Sequence, residues 1–341
     1  MGLLARYRRA WVAVFVGLLW VPMLGQAVTT GEAISTPEAR NLRKRPDLPT
    51  SAQAWSSFPH AVDGFLADHF GFREQLTRAN ARLRYELSSP TSPWVLIGRD
   101  RFLFYLGNDA VQQSMGILIR KKQLAKLVDV VAGLHDELAK RNIKFLFTSP
   151  PNNSTINRAH LPRWAAKVPS ATEYDLVLPM LASRGVPVLD LRPALESENA
   201  RNPTYSRTDT HWNVLGALIA RNEIVSALGH PDWLIDVAHV LRGYYETIEA
   251  GDLAGLLGID TYVHDQRLKI DVSSYPGVAS PTLLVVGDSF VGLLPAIWGN
   301  GARLAIVNDV IPCEATIGMI LAHEPSIVVF APNERYLGIC E

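Results

Sequence analysis

The chain has 341 residues, with 33 basic and 33 acidic side chains and 48% hydrophobic residues. That length permits one large or two modest domains, and the hydrophobic fraction suits a sizeable core. Balanced charge, with no basic stripe carrying interleaved aromatics, argues against nucleic acid as a partner.

Arg6, Arg8 and Arg9 precede an apolar run from Trp11 to Leu24. A basic head before roughly 14 apolar residues reads as an export signal. Gly25-Gln26-Ala27 offers small residues for cleavage. The run falls short of the roughly 20 residues of a spanning helix. Counted on through Ala27 and Val28, it is also compatible with an uncleaved anchor. Either way the positive flank stays cytoplasmic and the body is exported. The expectation is a periplasmic protein whose residues 1–28 are a signal peptide or an inner-membrane anchor. Without that segment the body is slightly acidic.

Residues 29–57 are rich in Pro, Ser, Thr and charge, with no apolar period across Arg40–Pro49, and read as a tether. From residue 58 to the C-terminus the pattern is that of a folded domain. Phe65, Leu66, Phe70, Phe72, Leu76, Leu83 and Leu87 recur at helical spacing. Asp68, His69 and Arg73 read as ties between this helix and the core. Trp94–Gly98 and Arg101–Tyr105 flank the turn Gly98-Arg99-Asp100, a hairpin signal.

Helices and strands then alternate. Leu124, Leu127, Val128, Val131, Leu134 and Leu138 form one helical face, with Asn142 as its C-cap. Ile143–Thr148 reads as a strand, Thr172–Ser183 as a helix disturbed by Pro179, and Val186–Leu191 as a short strand. Asn213–Leu228 is an amphipathic helix stopped by Gly229 and Pro231. Strands over Thr282–Val286, Arg303–Val307 and Ser326–Phe330 follow, with a helix around Ala315–His323 between the last two. This alternation implies a mainly parallel, three-layer α/β sheet. Cys313 and Cys340 could pair in an oxidising compartment or stand as buried free thiols. No CxxC or Cys/His cluster points to zinc, and His60, His135, His160, His230 and His323 show no metal-ligand spacing.

The chemistry concentrates in two places. Thr282-Leu-Leu-Val-Val-Gly-Asp-Ser-Phe290 is a buried strand running into Gly287-Asp288-Ser289. Gly287 is expected to permit a sharp turn, and the carboxyl end of a parallel strand is where open α/β sheets place ligands. Ser289 is therefore the candidate nucleophile, which requires a base, an orienter and an oxyanion hole. Asp209-Thr-His211, just before the helix near Val214, supplies the first two. An aspartate holding one imidazole nitrogen as N–H leaves the other free to take a serine proton. Read by itself, Asp209 could instead cap the helix start.

Gly-Asp-Ser at a strand end plus Asp-x-His at a loop end is the pattern of the SGNH (GDSL) hydrolase superfamily. Its usual order is reversed here, which points to a circularly permuted subgroup. The chain resembles the alginate O-acetyltransferase (AlgJ/AlgX-like) group within it. The resemblance runs from about Asn41 to the C-terminus, on Asp68-His-Phe-Gly-Phe-Arg73, Ile97–Tyr105, Pro150-Pro-Asn152, Asp209-Thr-His-Trp212, Gly251-Asp-Leu253, Gly287–Phe290 and Glu334-Arg-Tyr-Leu337. It departs from the family pattern at Asn153 and Asn157, where Lys and Tyr are common.

The resemblance implies an SGNH-hydrolase-like three-layer fold, with Ser289 as nucleophile, His211 as general base and Asp209 as orienter. The Ser289 N–H, the Asn333 side chain and the Gly299 N–H would form the oxyanion hole, with Gly301 and Asn308 competing for the last two. Trp212, Arg335 and Tyr336 would line the substrate site. Implied partners are a membrane-bound O-acyltransferase that supplies acetyl groups and a polysaccharide acceptor, with no metal and no tightly bound cofactor. The expected function is O-acetyl transfer to an exopolysaccharide through an acetyl-serine intermediate. A carbohydrate acetylesterase would use the same residues with water as acceptor, and a non-catalytic polysaccharide-binding scaffold would not need them.

Overall fold

A computed structural model describes residues 2–26, 34–35, 40–88, 92–167, 171–271, 282–298, 304–307 and 311–340. They fall into two units, residues 1–89 with 255–262, and residues 90–254 with 263–341.

The first unit is mainly helical. Gly2–Gln26 is one helix, whose Trp11, Phe15, Leu18, Leu19 and Trp20 are exposed. Among the described residues, no helix is long and apolar enough to cross a membrane. The two-residue strands β1 (Ile34–Ser35) and β2 (Arg40–Asn41) pair antiparallel. Helices Ala52–His69 and Arg73–Glu86 follow, so the single helical pattern seen in the sequence is broken at Phe72, which is left-handed at φ 63°. Asp68 does not tie this helix to a distant core. Its carboxylate accepts from both terminal nitrogens of Arg40, at 2.5 and 2.9 Å, and from the Arg43 N–H at 2.9 Å. The tether expected over 29–57 is thus held by Asp68 at Arg40 and Arg43.

The second unit is built on a parallel sheet. The hairpin appears as expected, with β3 (Val95–Ile97) antiparallel to β4 (Leu103–Tyr105). The sheet strands are β5 (Lys144–Thr148), β6 (Val188–Leu189), β9 (Leu283–Gly287), β10 (Leu304–Val307) and β11 (Ile327–Ala331), in the order β10-β9-β11-β5-β6. All four neighbouring pairs are parallel.

Strand side chains alternate between faces, and the core divides accordingly. Leu283, Val285, Ile327, Val329 and Leu146 pack on one side with helix Val214–Ala227. Leu284, Val286, Val328, Phe330, Phe145 and Phe147 pack on the other with helices Lys121–Ala139 and Glu173–Ser183. This is the expected three-layer arrangement. Pro179 sits inside the last of those helices without ending it, and a capping box between Thr172 and Asp175 secures its start.

Between helix Val214–Ala227 and β9 the chain forms an antiparallel pair that the sequence pattern did not disclose, β7 (Leu241–Glu249) and β8 (His264–Ile270). Most of β7 faces solvent, so it carries no apolar alternation to read.

Cys313 and Cys340 form a disulfide across 27 residues, with their Cα atoms 5.6 Å apart. This ties the C-terminal residues to the segment after β10. Replacing both by serine should lower unfolding stability by about 3 kcal/mol, because the open chain gains loop entropy. Denaturant unfolding checks this; an unchanged midpoint would show that the link contributes nothing.

Candidate active site

The carboxyl ends of β5, β9 and β11 lie on one edge of the sheet, where their loops lock together. The Ser149 hydroxyl donates to the Pro332 carbonyl (2.7 Å), and the Asn333 side-chain N–H donates to the Pro150 carbonyl (2.8 Å). Asp288 joins the third loop. Its carboxylate accepts from the Phe290 N–H at 3.0 Å, capping the short 3-10 turn Ser289–Leu293, and from the Asn333 N–H at 2.7 Å.

Gly287 does not take a left-handed backbone. A Cβ there would lie 2.5 Å from the Ala331 carbonyl and 2.8 Å from Val291. Its absence lets β9 and β11 run side by side into the serine turn. Ser289 emerges exposed between buried Asp288 and Phe290.

The Asp209–His211 loop is held from both sides. Asn213, not Asp209, caps helix Val214–Ala227, accepting from the Gly216 N–H at 3.0 Å. Asp209 is thereby left for the imidazole. The Asn153 side-chain N–H donates to the carbonyls of Ser206 (3.3 Å) and Asp209 (3.0 Å). Asn153 in turn accepts from Asn157 (2.7 Å), and Asn157 from Asn199 (2.9 Å). The two positions that depart from the family pattern therefore belong to an amide chain bracing this loop. The Trp212 indole N–H donates to the Phe290 carbonyl at 3.0 Å, directly joining the histidine loop to the serine turn.

The result is a geometry able to relay a proton. Ser289 Oγ lies 2.8 Å from His211 Nε2, across 78 residues of sequence. His211 Nδ1 lies 2.8 Å from Asp209 Oδ1, which also accepts from the His211 backbone N–H at 2.7 Å. A carboxylate can only accept, so Nδ1 carries the proton and Nε2 is free to accept from the serine. Burial alone would lower the His211 pKa, but the hydrogen bond and charge of Asp209, with the charge of Asp252, outweigh it and raise it. Burial works to raise the Asp209 pKa, and its hydrogen bonds from His211 bring it below the usual carboxylate range. Asp252 is a third participant, with Oδ2 at 3.7 Å from His211 Nδ1. Burial and the Asp209 charge raise its pKa. Asp209, His211 and Asp252 are a cluster whose composition could hold a metal ion. The imidazole nitrogen inside it is already committed to Asp209.

Other expected site residues fall elsewhere. Asn333 is fully buried, with its amide N–H on the Pro150 carbonyl and its oxygen on the Arg335 N–H (3.2 Å). It links two loops, with its amide engaged in the fold. Gly299, Gly301 and Asn308 lie outside the described residues. Trp212 borders the groove but is only 2% exposed, and its indole N–H works as the clamp just described. Arg335 is buried, its guanidinium carbon 5.0 Å from the Tyr105 ring centre and 5.5 Å from that of Phe290. The Phe290 ring centre is itself 5.0 Å from that of His211. Arg335 is thus a cation behind the imidazole rather than a wall of the groove, and half-buried Tyr336 is also absent from that lining. An open groove of about 370 Å³ adjoins Ser289 and His211, walled by Val214 and Leu293 and, from the β7–β8 pair, by Ile248 and Arg267. Sequence reading missed those last two because β7 is mostly exposed and β8 is mostly polar, and missed Asp252 because it lies 43 residues from Asp209.

The relay sits within a stretch that settles the family. Residues 95–292, more than half of the chain, match the family described as SGNH hydrolase-like domain, acetyltransferase AlgX. The chain belongs to the AlgX acetyltransferase family. Its likeness to curated members is distant but long. It is 22% identical over 369 residues to the protein named "Probable alginate O-acetylase AlgJ" of Pseudomonas syringae pv. tomato, covering 97% of this chain and 88% of that one. Against the protein of the same name in Pseudomonas aeruginosa it is 26% identical over 204 residues, covering 59% of this chain and half of the relative. The fold matches the O-acetyltransferase domain of Pseudomonas putida AlgJ with a TM-score of 0.52 at 20% identity, covering 72% of this chain and 92% of that domain.

Under the site lies a buried acid. Glu334 is 1% exposed, accepting from the Asn152 N–H (2.7 Å) and the Thr155 hydroxyl (2.7 Å) through one oxygen. Burial pushes its pKa from 4.5 up to about 7, against those two hydrogen bonds. A raised folded-state value means that the folded protein holds this proton more tightly than the unfolded chain. Its stabilising contribution is therefore complete below pH 4.5 and is lost as pH rises to about 7. Glu334→Gln keeps an acceptor oxygen and removes the titration. Its stability relative to the parent should rise between about pH 5 and pH 8, by on the order of 3 kcal/mol. Thermal unfolding across that range measures it, and a pH-independent difference would contradict the assignment.

Proposed function

We propose that this AlgX-family protein is an exported O-acetyltransferase that modifies a cell-surface or secreted polysaccharide by way of an acetyl-Ser289 intermediate. The observation that carries the reading is the pair of 2.8 Å contacts joining Ser289, His211 and Asp209 beside an open groove. His211 Nε2 takes the Ser289 proton as Oγ attacks the acetyl carbonyl of the donor. The tetrahedral intermediate collapses, the donor's leaving oxygen takes that proton from His211, and acetyl-serine remains. A sugar hydroxyl then attacks while His211 receives its proton and returns it to Ser289 Oγ, releasing the acetylated sugar. The Ser289 backbone N–H, on the turn itself, is the donor proposed for each developing oxyanion.

Alginate, or a polymer like it, is the proposed acceptor, since the AlgJ relatives carry alginate acetylation in their names. The proposed acetyl source is a membrane-bound O-acyltransferase, and the proposed compartment is the periplasm. The basic head and apolar run of residues 6–24 support export. So does the Cys313–Cys340 disulfide, a bond that persists in oxidising compartments. Whether residues 1–28 are cleaved or remain as an anchor belongs to the same proposal.

The test incubates the protein with p-nitrophenyl acetate, with and without alginate oligomers, and follows acetate and acetylated sugar. Acetylated oligomer should appear, and Ser289→Ala should abolish it. Because the His211 pKa is raised, the rate should climb with pH through a transition above the ordinary histidine value of 6.5. Rapid acetate release that oligomers leave unchanged would favour water as the acceptor instead.

A further inference from the structure

The imidazole of His211 faces two carboxylates, and the Ser-His-Asp relay uses only one. Asp252, the first residue of the short helix Asp252–Leu257, reaches every part of the Asp209–His211 turn. Its Oδ1 accepts from the Thr210 N–H at 2.7 Å. Its backbone N–H donates to Asp209 Oδ2 at 3.4 Å. Its Oδ2 stands 3.7 Å from His211 Nδ1, beyond the Asp209 oxygen at 2.8 Å.

The segment that carries it is fastened to the same loop. The Gly251 N–H donates to Thr208 Oγ1 (2.7 Å), and the Leu253 and Ala254 N–H groups to the Thr208 carbonyl (3.1 and 3.3 Å). Thr208 is held in turn by Asp265, which accepts from its hydroxyl at 2.6 Å and its N–H at 3.0 Å. The fit leaves no space at Gly251, where a Cβ would come within 2.4 Å of Asp209 Cβ and 2.7 Å of its Cα.

We infer that Asp252 is a positioning residue for the transfer reaction, fixing the Asp209–His211 turn through Thr210 and supplying a second negative charge that favours the imidazolium while His211 holds the Ser289 proton. The inference rests on the proposed acetyl-serine reaction. A carboxylate in direct hydrogen bond with the imidazole sets its tautomer; one set back from it acts through charge, which in a partly buried site falls off slowly. Among the described residues, the charged groups around His211 are Asp209 and Asp252 on its Nδ1 side, Arg335 behind Phe290, Asp288 beneath the serine turn, and Arg267 in the groove wall. The two carboxylates outweigh Arg335, in keeping with the raised His211 pKa. Asp252 is also the partner whose pKa is raised, by burial and then by the Asp209 charge, whereas that of Asp209 is lowered.

The experiment compares full-length protein with Asp252→Asn, which keeps an oxygen acceptor for the Thr210 N–H and removes the charge. The readouts are the pH–rate profile with p-nitrophenyl acetate and the melting temperature. The expected result is a fall in kcat of about tenfold, an acid limb shifted to lower pH by about half a unit or more, and an unchanged KM. Asp209→Asn should retain residual activity, and adding Asp252→Asn to it should cost more than the product of the two single losses, because the second carboxylate then stands in for the first. Asp252→Asn with the parental pH profile would overturn the inference, as would a loss of rate that tracks a lowered melting temperature with no shift in the limb. Failure of the underlying reading is distinguishable, since Ser289→Ala would then keep its activity.

Discussion

A single indole N–H joins the two halves of this site. Trp212 donates to the Phe290 carbonyl, so the residue after His211 is bonded to the residue after Ser289. The bond is buried, and its partners would be left unsatisfied if the loops parted, a penalty of about 1–3 kcal/mol. Phe290 adds to the clamp, with its ring against those of both His211 and Trp212. Packing reinforces this joint, because helix Val214–Ala227, after the histidine, shares its core with Leu294, Ile297 and Trp298, after the serine turn. The rest of the unit supports the joint from below. Asp288 ties the serine turn to the loop after β11, while Asn153, Asn157 and Asn199 tie the histidine loop to the segment after β5.

The electrostatics follow from the same packing. Partial burial would favour a neutral histidine, so charge must be supplied locally if His211 is to accept a proton. Asp209 and Asp252 supply it on one side, and Arg335 sits on the other without outweighing them. Glu334 shows the opposite balance, with one carboxylate oxygen satisfied by two donors and the other without a protein partner. Asp209 and Glu334 thus differ in pKa direction because the hydrogen bonds and charge of His211 outweigh burial at Asp209, whereas at Glu334 burial outweighs its two donors.

Much of this was legible in the amino-acid sequence wherever the signal was local. The apolar strands β5, β9 and β11 stand out because both faces are buried, and continuous Leu, Val and Phe runs follow from that. Asp209 and His211 are legible because they stand two positions apart, and Ser289 because it follows the end of a strand. What the sequence hid was set by long-range contact. Asp252 touches the imidazole from a separate helix, and nothing in Gly251-Asp-Leu253 alone says so. Gly287 looked like a turn glycine, whereas the crowding comes from Ala331 on the neighbouring strand. Asn333 was assigned to the oxyanion hole and Trp212 to the substrate site by their place in the chain, while their polar groups also join loops. The β7–β8 pair, exposed on most of one strand, carried no periodic signal although Ile248 and Arg267 wall the groove.

The central claim is that Ser289 carries the acetyl group, and trapping that intermediate tests it most directly. The protein would be mixed with p-nitrophenyl acetate, quenched in acid within the first turnover, digested and read by peptide mass spectrometry. The account predicts one acetyl group on the peptide containing Ser289, absent in His211→Ala and removed from the parent protein when alginate oligomer is added before the quench. An unmodified Ser289 peptide during active turnover, or acetyl carried by another side chain, would contradict it.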